Sequence, residues 1–304
     1  ARLKENIKPV GTMLSKIDKL NILEYSFIHD KDHRNQFGVL AQDAYKLFPE
    51  LVTRGETSEE SADHIHHRSL YVAYGEVNHV DVWGEGSNSG RIVHQNFTKK
   101  SDGPIVGRIH TNNTWVNAGG DTLMSDIQNF RVYGLPETGQ IIDLDLTLIA
   151  DSGDVFFGDT KEGGMFAIRV PTSMDAKDKG RIENSEGDVY DSGEGEETTW
   201  GKRAAWVDYS GPLADGEQWG HTVVDHVSNS WHPTSWHVRG YGLFTANPFG
   251  LHDFLQDDSV DGSWTIPRGE TATSKFRLII HPGRGISGNS RIAELIDEYQ
   301  SFDG

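Results

Sequence analysis

From residue 52 onward, apolar and polar side chains alternate in short runs, and glycine, asparagine, aspartate or proline separates one run from the next. "RSLYVAYG", "GRIVHQNF", "PIVGRIHTNNTWV", "DIQNFRVYGL", "QIIDLDLTLIA", "DVFFGDT", "MFAIRVP", "AAWVDYSG", "HTVVDHV", "TSWHVRGYGLFTAN" and "TSKFRLIIHP" all have this texture. Side chains two apart on a strand share a face, so Ile142, Leu144, Leu146 and Leu148 line one side of "IIDLDLTLIA". About eleven such strands joined by tight turns predict a mainly β fold, a large antiparallel β-sandwich.

Two stretches depart from that period. "SRIAELIDEYQSF" repeats its apolar residues at helical spacing, which predicts a C-terminal helix capped by Ser290 with Ile292, Leu295, Ile296 and Tyr299 inward. At the other end, Val10, Met13, Leu14, Ile17, Leu20, Ile22 and Leu23 form a helical stripe that runs into a strand. "QFGVLAQDAYKLFPELV" then reads as a short strand, a helix over 41–48 and a stop at Pro49. The expected organisation is an α/β segment over 1–51 and a sandwich domain over 52–304. "ENSEGDVYDSGEGEE" (183–197) reads as an acidic glycine-rich loop without calcium-hand spacing.

Composition narrows the function classes. The chain has 304 residues, 36% of them hydrophobic and 34 of them glycine, enough for a real core and many tight turns. A net charge of −18 offers no basic face to a phosphate backbone, so nucleic acid is not an expected partner. The same charge either attracts cations or merely solvates the surface. With no cysteine, disulfides, zinc–thiolate sites and thiol nucleophiles are excluded. No apolar run reaches the ~18 residues of a membrane span. "ARLKENIKPV" has neither an apolar leader core nor a start Met, so the chain reads as a processed or truncated product, with a periplasmic or secreted location expected.

Four segments carry candidate chemistry. In "SADHIHHRSL", strand geometry points His64 and His66 to one side with Arg68, and Asp63 and His67 to the other. Two imidazoles spaced this way can hold one divalent metal ion if further ligands arrive from elsewhere, His252 being the expected third. Arg68 suits a carboxylate or phosphate. The alternative is a set of histidines hydrogen-bonded to neighbouring strands. "WHPTSWHVRGYGLFTANPFGLHDF" interleaves Trp236 with His237, Arg239, Tyr241 and Asn247, a mixture that suits a sugar ring or, equally, core aromatics between turn-forming polar residues. "GDTKEGG" offers Lys161 and Glu162 for acid–base work, or a surface salt bridge. In "WGKRAAWVDYSG", Arg203 is the substrate-carboxylate candidate and Asp208 its structural partner.

Two family resemblances attach to these residues. "RLKENIKP", "KIDKLNILEYSF" and "FGVLAQDAYKLFPELV" resemble the intramolecular chaperone of endosialidase-type tail spikes, a self-cleaving Ser–Lys peptidase. Lys4 matches its lysine, while the serine would precede Ala1, so no self-cleavage is implied. "DHIHHRSL", "GDTKEGG", "WGKRAAWVDYSG" and "HPTSWHVRGYGLFTANPFGLHDF" resemble the PmoA-family proteins over about 52–285. That resemblance implies a soluble, mutarotase-like sandwich associated with carbohydrate catabolism.

The expectation is therefore an enzyme acting on a sugar or oxidised-sugar derivative by metal- or His-assisted elimination or hydrolysis. Lys161, Glu162, His67, His237 and Tyr241 would be catalytic, and Arg68, Arg203, Trp236, Arg239 and Asn247 would bind substrate. His64, His66 and His252 would hold the metal. The alternative is a non-catalytic carbohydrate-binding or fibre-tip module; in either case the ligand is a carbohydrate, and a homo-oligomer is compatible with the sequence.

Overall fold

The computed structural model describes residues 69–135, 139–193, 198–213, 215–287 and 289–301, together with the strand residues 23–25 and 36–38. Those two short strands, β1 (Leu23–Tyr25) and β2 (Gln36–Gly38), pair antiparallel. The helices expected over 10–23 and 41–48 lie outside the described residues.

Alternation builds the rest. β7 (Gly139–Ile149) turns Leu144, Leu146 and Leu148 into the core and Asp143 and Asp145 to the opposite face, as its period-2 pattern requires. It lies within an antiparallel sheet of nine described strands. On one side follow β6 (Thr122–Leu135), β5 (Val106–Val116) and, at the edge, β4 (Arg91–Ser101). On the other side follow β17 (Thr271–Pro282), β13 (Gln218–Asp225), β12 (Trp206–Pro212), β10 (Arg181–Asn184) and β11 (Val189–Asp191).

A smaller sheet runs in the order β14 (Trp236–Val238), β15 (Leu243–Ala246), β9 (Gly163–Arg169), β3 (Leu70–Tyr74). It packs face to face on the large one. The Phe166 ring meets Phe276 across the gap at 5.4 Å, and Phe244 meets Tyr209 at 6.2 Å. Each aromatic side chain withdrawn here contributes about 1.5–3 kcal/mol. The pair β8 (Val155–Phe157) and β16 (Trp264–Ile266) closes one end with Phe157, Phe249 and Trp264. The expected sandwich is therefore present.

Of the described helices, α1 (Leu251–Leu255) is a single turn and α2 (Ser290–Gln300) covers the outer face of the large sheet. Ile292, Leu295, Ile296 and Tyr299 point inward as their spacing predicts, against Ile141, Val224 and Ile279. Its cap is Asn289, whose side chain accepts from Ile292 N–H, rather than the expected Ser290. The stretch 183–197 is also less loop-like than expected. Its first part forms the β10–β11 hairpin, because β12 supplies a pairing edge that local composition does not reveal. Among the described residues no helix is long and apolar enough to cross a membrane.

Candidate functional site

The small sheet has two faces. Val72, Tyr74, Phe166, Ile168, Trp236, Val238 and Phe244 look into the core. Across the opposite face runs the register row Tyr71, Ala167, Thr245, His237, with small residues in the middle and a ring at either end. Loops from both ends of the strands gather polar groups around this row.

The loop 158–162 leads into β9 and carries Lys161 and Glu162. Their side chains form an ion pair, Lys161 Nζ to Glu162 Oε1 at 3.0 Å, and are 37% and 44% exposed. The backbone beneath them is held almost residue by residue. Buried Tyr74 donates its hydroxyl to Gly158 O at 2.8 Å, and Asn247 Nδ2 donates to Thr160 O at 2.9 Å. His237 Nδ1 lies 2.7 Å from Lys161 O, and Lys161 N–H donates to Asp253 Oδ2 at 3.0 Å. A carbonyl only accepts, so His237 carries its proton on Nδ1. Burial pushes the His237 imidazole down to about 4, which keeps it neutral.

Two glycines let the backbones meet. At Gly250 a Cβ would lie 2.8 Å from Thr160 O and 2.9 Å from Lys161 Cα. Gly163 turns the loop into β9 at φ +92°, where an L side chain is strained.

Around the pair stand cations and rings. Arg239 lies over Trp200 (5.6 Å) and Tyr241 (5.8 Å), and Arg169 also lies over Tyr241 at 5.3 Å. Trp200 meets the His237 ring edge-on at 6.2 Å. The Glu162 carboxylate beside Lys161 raises the lysine above its ordinary value, so this group is a fixed cation rather than a base at neutral pH. Asp159 and Asp253 are engaged by backbone N–H groups, of His252 and Gly262 for the first and Lys161 for the second. Glu162 is thus the half-exposed carboxylate of the cluster.

The expected site residues divide as follows. Lys161, Glu162, His237, Arg239, Tyr241 and Asn247 come together, with Asn247 fully buried and bonded to the loop rather than facing a ligand. His252 joins the edge of the group, with Nδ1 3.2 Å from Asp159 Oδ1 and Nε2 3.6 Å from Asp253 Oδ1. The Asp159 carboxylate raises its imidazole, an ion-paired arrangement. Among the described residues no cluster of three or more His, Asp or Glu is arranged to hold a metal. His64, His66, His67 and Arg68 lie outside the described residues.

Three assignments are corrected. Trp236 is fully buried with its Nε1 donating to Ala204 O, because alternation that turns His237 outward must turn Trp236 inward. Arg203 donates to Pro233 O at 2.8 Å and approaches Trp231 O at 3.4 Å, bracing the loop that contains the cis His232–Pro233 bond. Asp208 is not its partner; Asp208 is buried against His281 (2.8 Å) and Thr222 (2.8 Å).

Residues the sequence reading passed over include Tyr71, Arg169 and Trp200. Outward alternation on β3 and β9, opposite the apolar core positions, is the signal that marks the first two. A shallow depression of about 410 Å³ is lined by His79, Val80, Asp81, Ser87, Asn88 and Ser89. Asp81 there accepts from Trp83 N, Gly84 N and Ser89 Oγ, which makes it a turn.

Fold and site together define an antiparallel β-sandwich with a polar, aromatic-lined cluster on the outer face of its smaller sheet. The chain belongs to a family of unknown function, DUF6807, whose model matches residues 20–297. That membership replaces both resemblances drawn from short motifs: neither the PmoA family nor the endosialidase-type chaperone is the family found. The observation that favoured a fibre-tip module goes with them.

No curated protein matches the chain. Among solved structures it is similar to a β-arabinopyranosidase at TM-score 0.33 and 12% identity, over 64% of this chain and 30% of that one. It is also similar to a Glycoside Hydrolase Family 97 enzyme from Pseudoalteromonas sp. strain K8 in complex with acarbose. There the TM-score is 0.29 and the identity 10%, over 64% of this chain and 30% of that one. The chain spans under a third of the length of these two enzymes.

Proposed function

We propose that the cluster at Lys161 and Glu162 processes a sugar acid or oxidised sugar by proton transfer and elimination. The observation that carries this reading is the half-exposed 3.0 Å Lys161–Glu162 pair on a loop fastened by Tyr74, Asn247, His237 and Asp253. An ordinary surface ion pair is worth about 0–1 kcal/mol and needs no such support. A pair held in fixed geometry is preorganised for charge that develops during reaction.

The division of labour follows from the charges. Glu162 takes the proton from a carbon beside a carbonyl or carboxylate, and the C–H electrons form an enolate whose oxygen faces Lys161. The enolate collapses to a C=C bond as the C–O bond to the leaving group breaks, and that oxygen is protonated by Lys161 or water. His237 positions the loop through Lys161 O. Arg239 and Tyr241 supply a cation and a ring for the substrate's carboxylate and apolar face. Hydrolysis by paired carboxylates fits less well, since Asp159 and Asp253 are committed to backbone N–H groups.

The test is a panel of 4-linked uronides followed by the absorbance of unsaturated product. Wild type should form it; Lys161→Met and Glu162→Gln should lose about 10²–10⁴-fold in kcat with an unchanged melting temperature. No product from any member, or an undiminished rate in Lys161→Met, overturns the reading. An EDTA arm asks whether a metal at His252 takes part: an unchanged rate assigns the chemistry to the pair alone.

A further inference from the structure

Strand β17 leaves the large sheet beneath the turn that leads into α2. Its outward row is Arg277, Ile279 and His281, and α2 packs on the first two. His281 is fully buried opposite Gly220, where any Cβ would overlap the imidazole, so the ring rests on bare backbone. Register places Asp208 and Ser210 of β12, Thr222 of β13 and Glu183 of β10 on the same face, and all four are buried. The turn hangs on these groups. Gly285 N–H donates to Ser210 Oγ at 2.8 Å, and Ile286 N–H donates to Glu183 Oε1 at 2.7 Å.

Each partner of the His281 ring is an acceptor. Nδ1 lies 3.1 Å from Pro282 O, and a carbonyl only accepts. Nε2 lies 2.8 Å from Asp208 Oδ1 and 3.2 Å from Thr222 Oγ1, whose own proton goes to that same Asp208 oxygen at 2.8 Å. Both ring nitrogens therefore donate, and the group is an imidazolium ion-paired with Asp208. Burial by itself lowers the imidazole. The hydrogen bond and charge of Asp208, with Pro282 O and the Glu183 carboxylate, outweigh burial and hold the ring above its ordinary value. The other charges on this face are matched among themselves. Arg181 pairs with Glu183 (2.7 Å) and Asp191 (2.9 Å), Arg284 of the turn pairs with Asp191, and Arg277 pairs with Asp143. His221, the titratable neighbour on β13, is pushed down to about 4 by burial and stays neutral.

We infer that His281 is a pH-sensitive latch: its Nδ1 proton holds Pro282 O, and through it the 283–286 turn that carries β17 into α2. When pH rises, Nδ1 is the nitrogen that gives its proton to solvent, because Nε2 faces the stronger, charged acceptor. A lone pair then faces the Pro282 carbonyl, and the turn loosens while the sheet beneath it stays paired. The sign follows from linkage. An imidazole held above its unfolded value of about 6.5 contributes fully below that value, and its contribution is lost as pH rises through the folded midpoint. The latch is therefore closed in acid and at neutrality and opens in base.

The test is an NMR titration of the full chain between about pH 5.5 and pH 9, following the His281 ring nitrogens and the amides of Gly285 and Ile286. The ring should titrate above about 6.5 and lose its proton from Nδ1. Across that midpoint the hydrogen-exchange protection of the two amides, corrected for the intrinsic pH dependence of exchange, should fall about tenfold. Asp208→Asn should bring the His281 midpoint below about 6.5, and His281→Gln should abolish the step in protection. A wild-type midpoint at or below about 6.5 overturns the inference, as does deprotonation at Nε2. So does protection that is flat across the midpoint, or a step that persists in His281→Gln. The wild-type titration decides the matter even where a variant fails to fold.

Discussion

His237→Asn isolates the group that ties the small sheet to the Lys161 loop. Asparagine retains an N–H in roughly the place of Nδ1, so Lys161 O keeps a donor, but the variant cannot titrate and loses the ring that packs on Trp200 and Phe254. Lost packing should lower stability at pH 7.5 by about 1–2 kcal/mol. The pH dependence is the sharper reading. In the wild type the imidazole sits near 4, against an unperturbed value of about 6.5. Between these values the unfolded chain binds more protons than the folded one, so the native state keeps its full stability above pH 6.5 and loses it as pH falls.

At pH 5 the linkage comes to about 2 kcal/mol, and at pH 7.5 to about nothing. The variant lacks that term, so its deficit against wild type should shrink by about 2 kcal/mol between pH 7.5 and pH 5, to near zero. His221, which burial also pushes down to about 4, is present in both proteins and cancels in the difference. Urea unfolding at the two pH values, with equal slopes, measures the quantity. An equal deficit at both pH values would refute the buried neutral imidazole and, with it, the assigned Nδ1 proton.

Other substitutions test the scaffold from different sides. Tyr74→Phe removes the hydroxyl that holds Gly158 O; urea unfolding should show a loss of about 1–2 kcal/mol, and turnover should fall because the pair above it is less well placed. Gly250→Ala forces a Cβ against Thr160 O and Lys161 Cα, costing about 1–3 kcal/mol by the same measurement and displacing the loop, which would register as a lower kcat with little change in KM. Asp143→Asn breaks a buried carboxylate that holds Arg277 at 2.7 Å and Tyr133 at 3.0 Å beneath α2; about 3–5 kcal/mol should be lost, seen as early melting of the C-terminal helix in hydrogen exchange.

How far the sequence reached depended on whether each feature was periodic or local. Leu144, Leu146 and Leu148 on β7, and the inward face of α2, follow from spacing alone, because a one-residue slip would expose the whole set. The cap of α2 was missed by one position since Asn289 and Ser290 are both good capping residues and only dihedral angles separate them. Arg203 reads as a free cation in its own segment; the carbonyls that engage it lie some thirty residues on, at Trp231 and Pro233. The acidic stretch after residue 183 has loop composition, and it becomes a strand pair only where β12 offers an edge.

The cluster at Lys161 was legible as a set of residue types but not as a surface. The motifs "GDTKEGG" and "HVRGYG" promise charge and hydrogen bonding; what makes them one site is the order β14, β15, β9, β3, which no local pattern encodes. Ala167 and Thr245, between Tyr71 and His237, are fully buried, so this row is packed and the half-exposed groups are the loop side chains beside it. A larger side chain at either position would overpack this face, at about 1–3 kcal/mol. Ala167→Val should therefore lower stability in urea unfolding, and an unchanged stability would show instead that this face is open enough to seat a ligand.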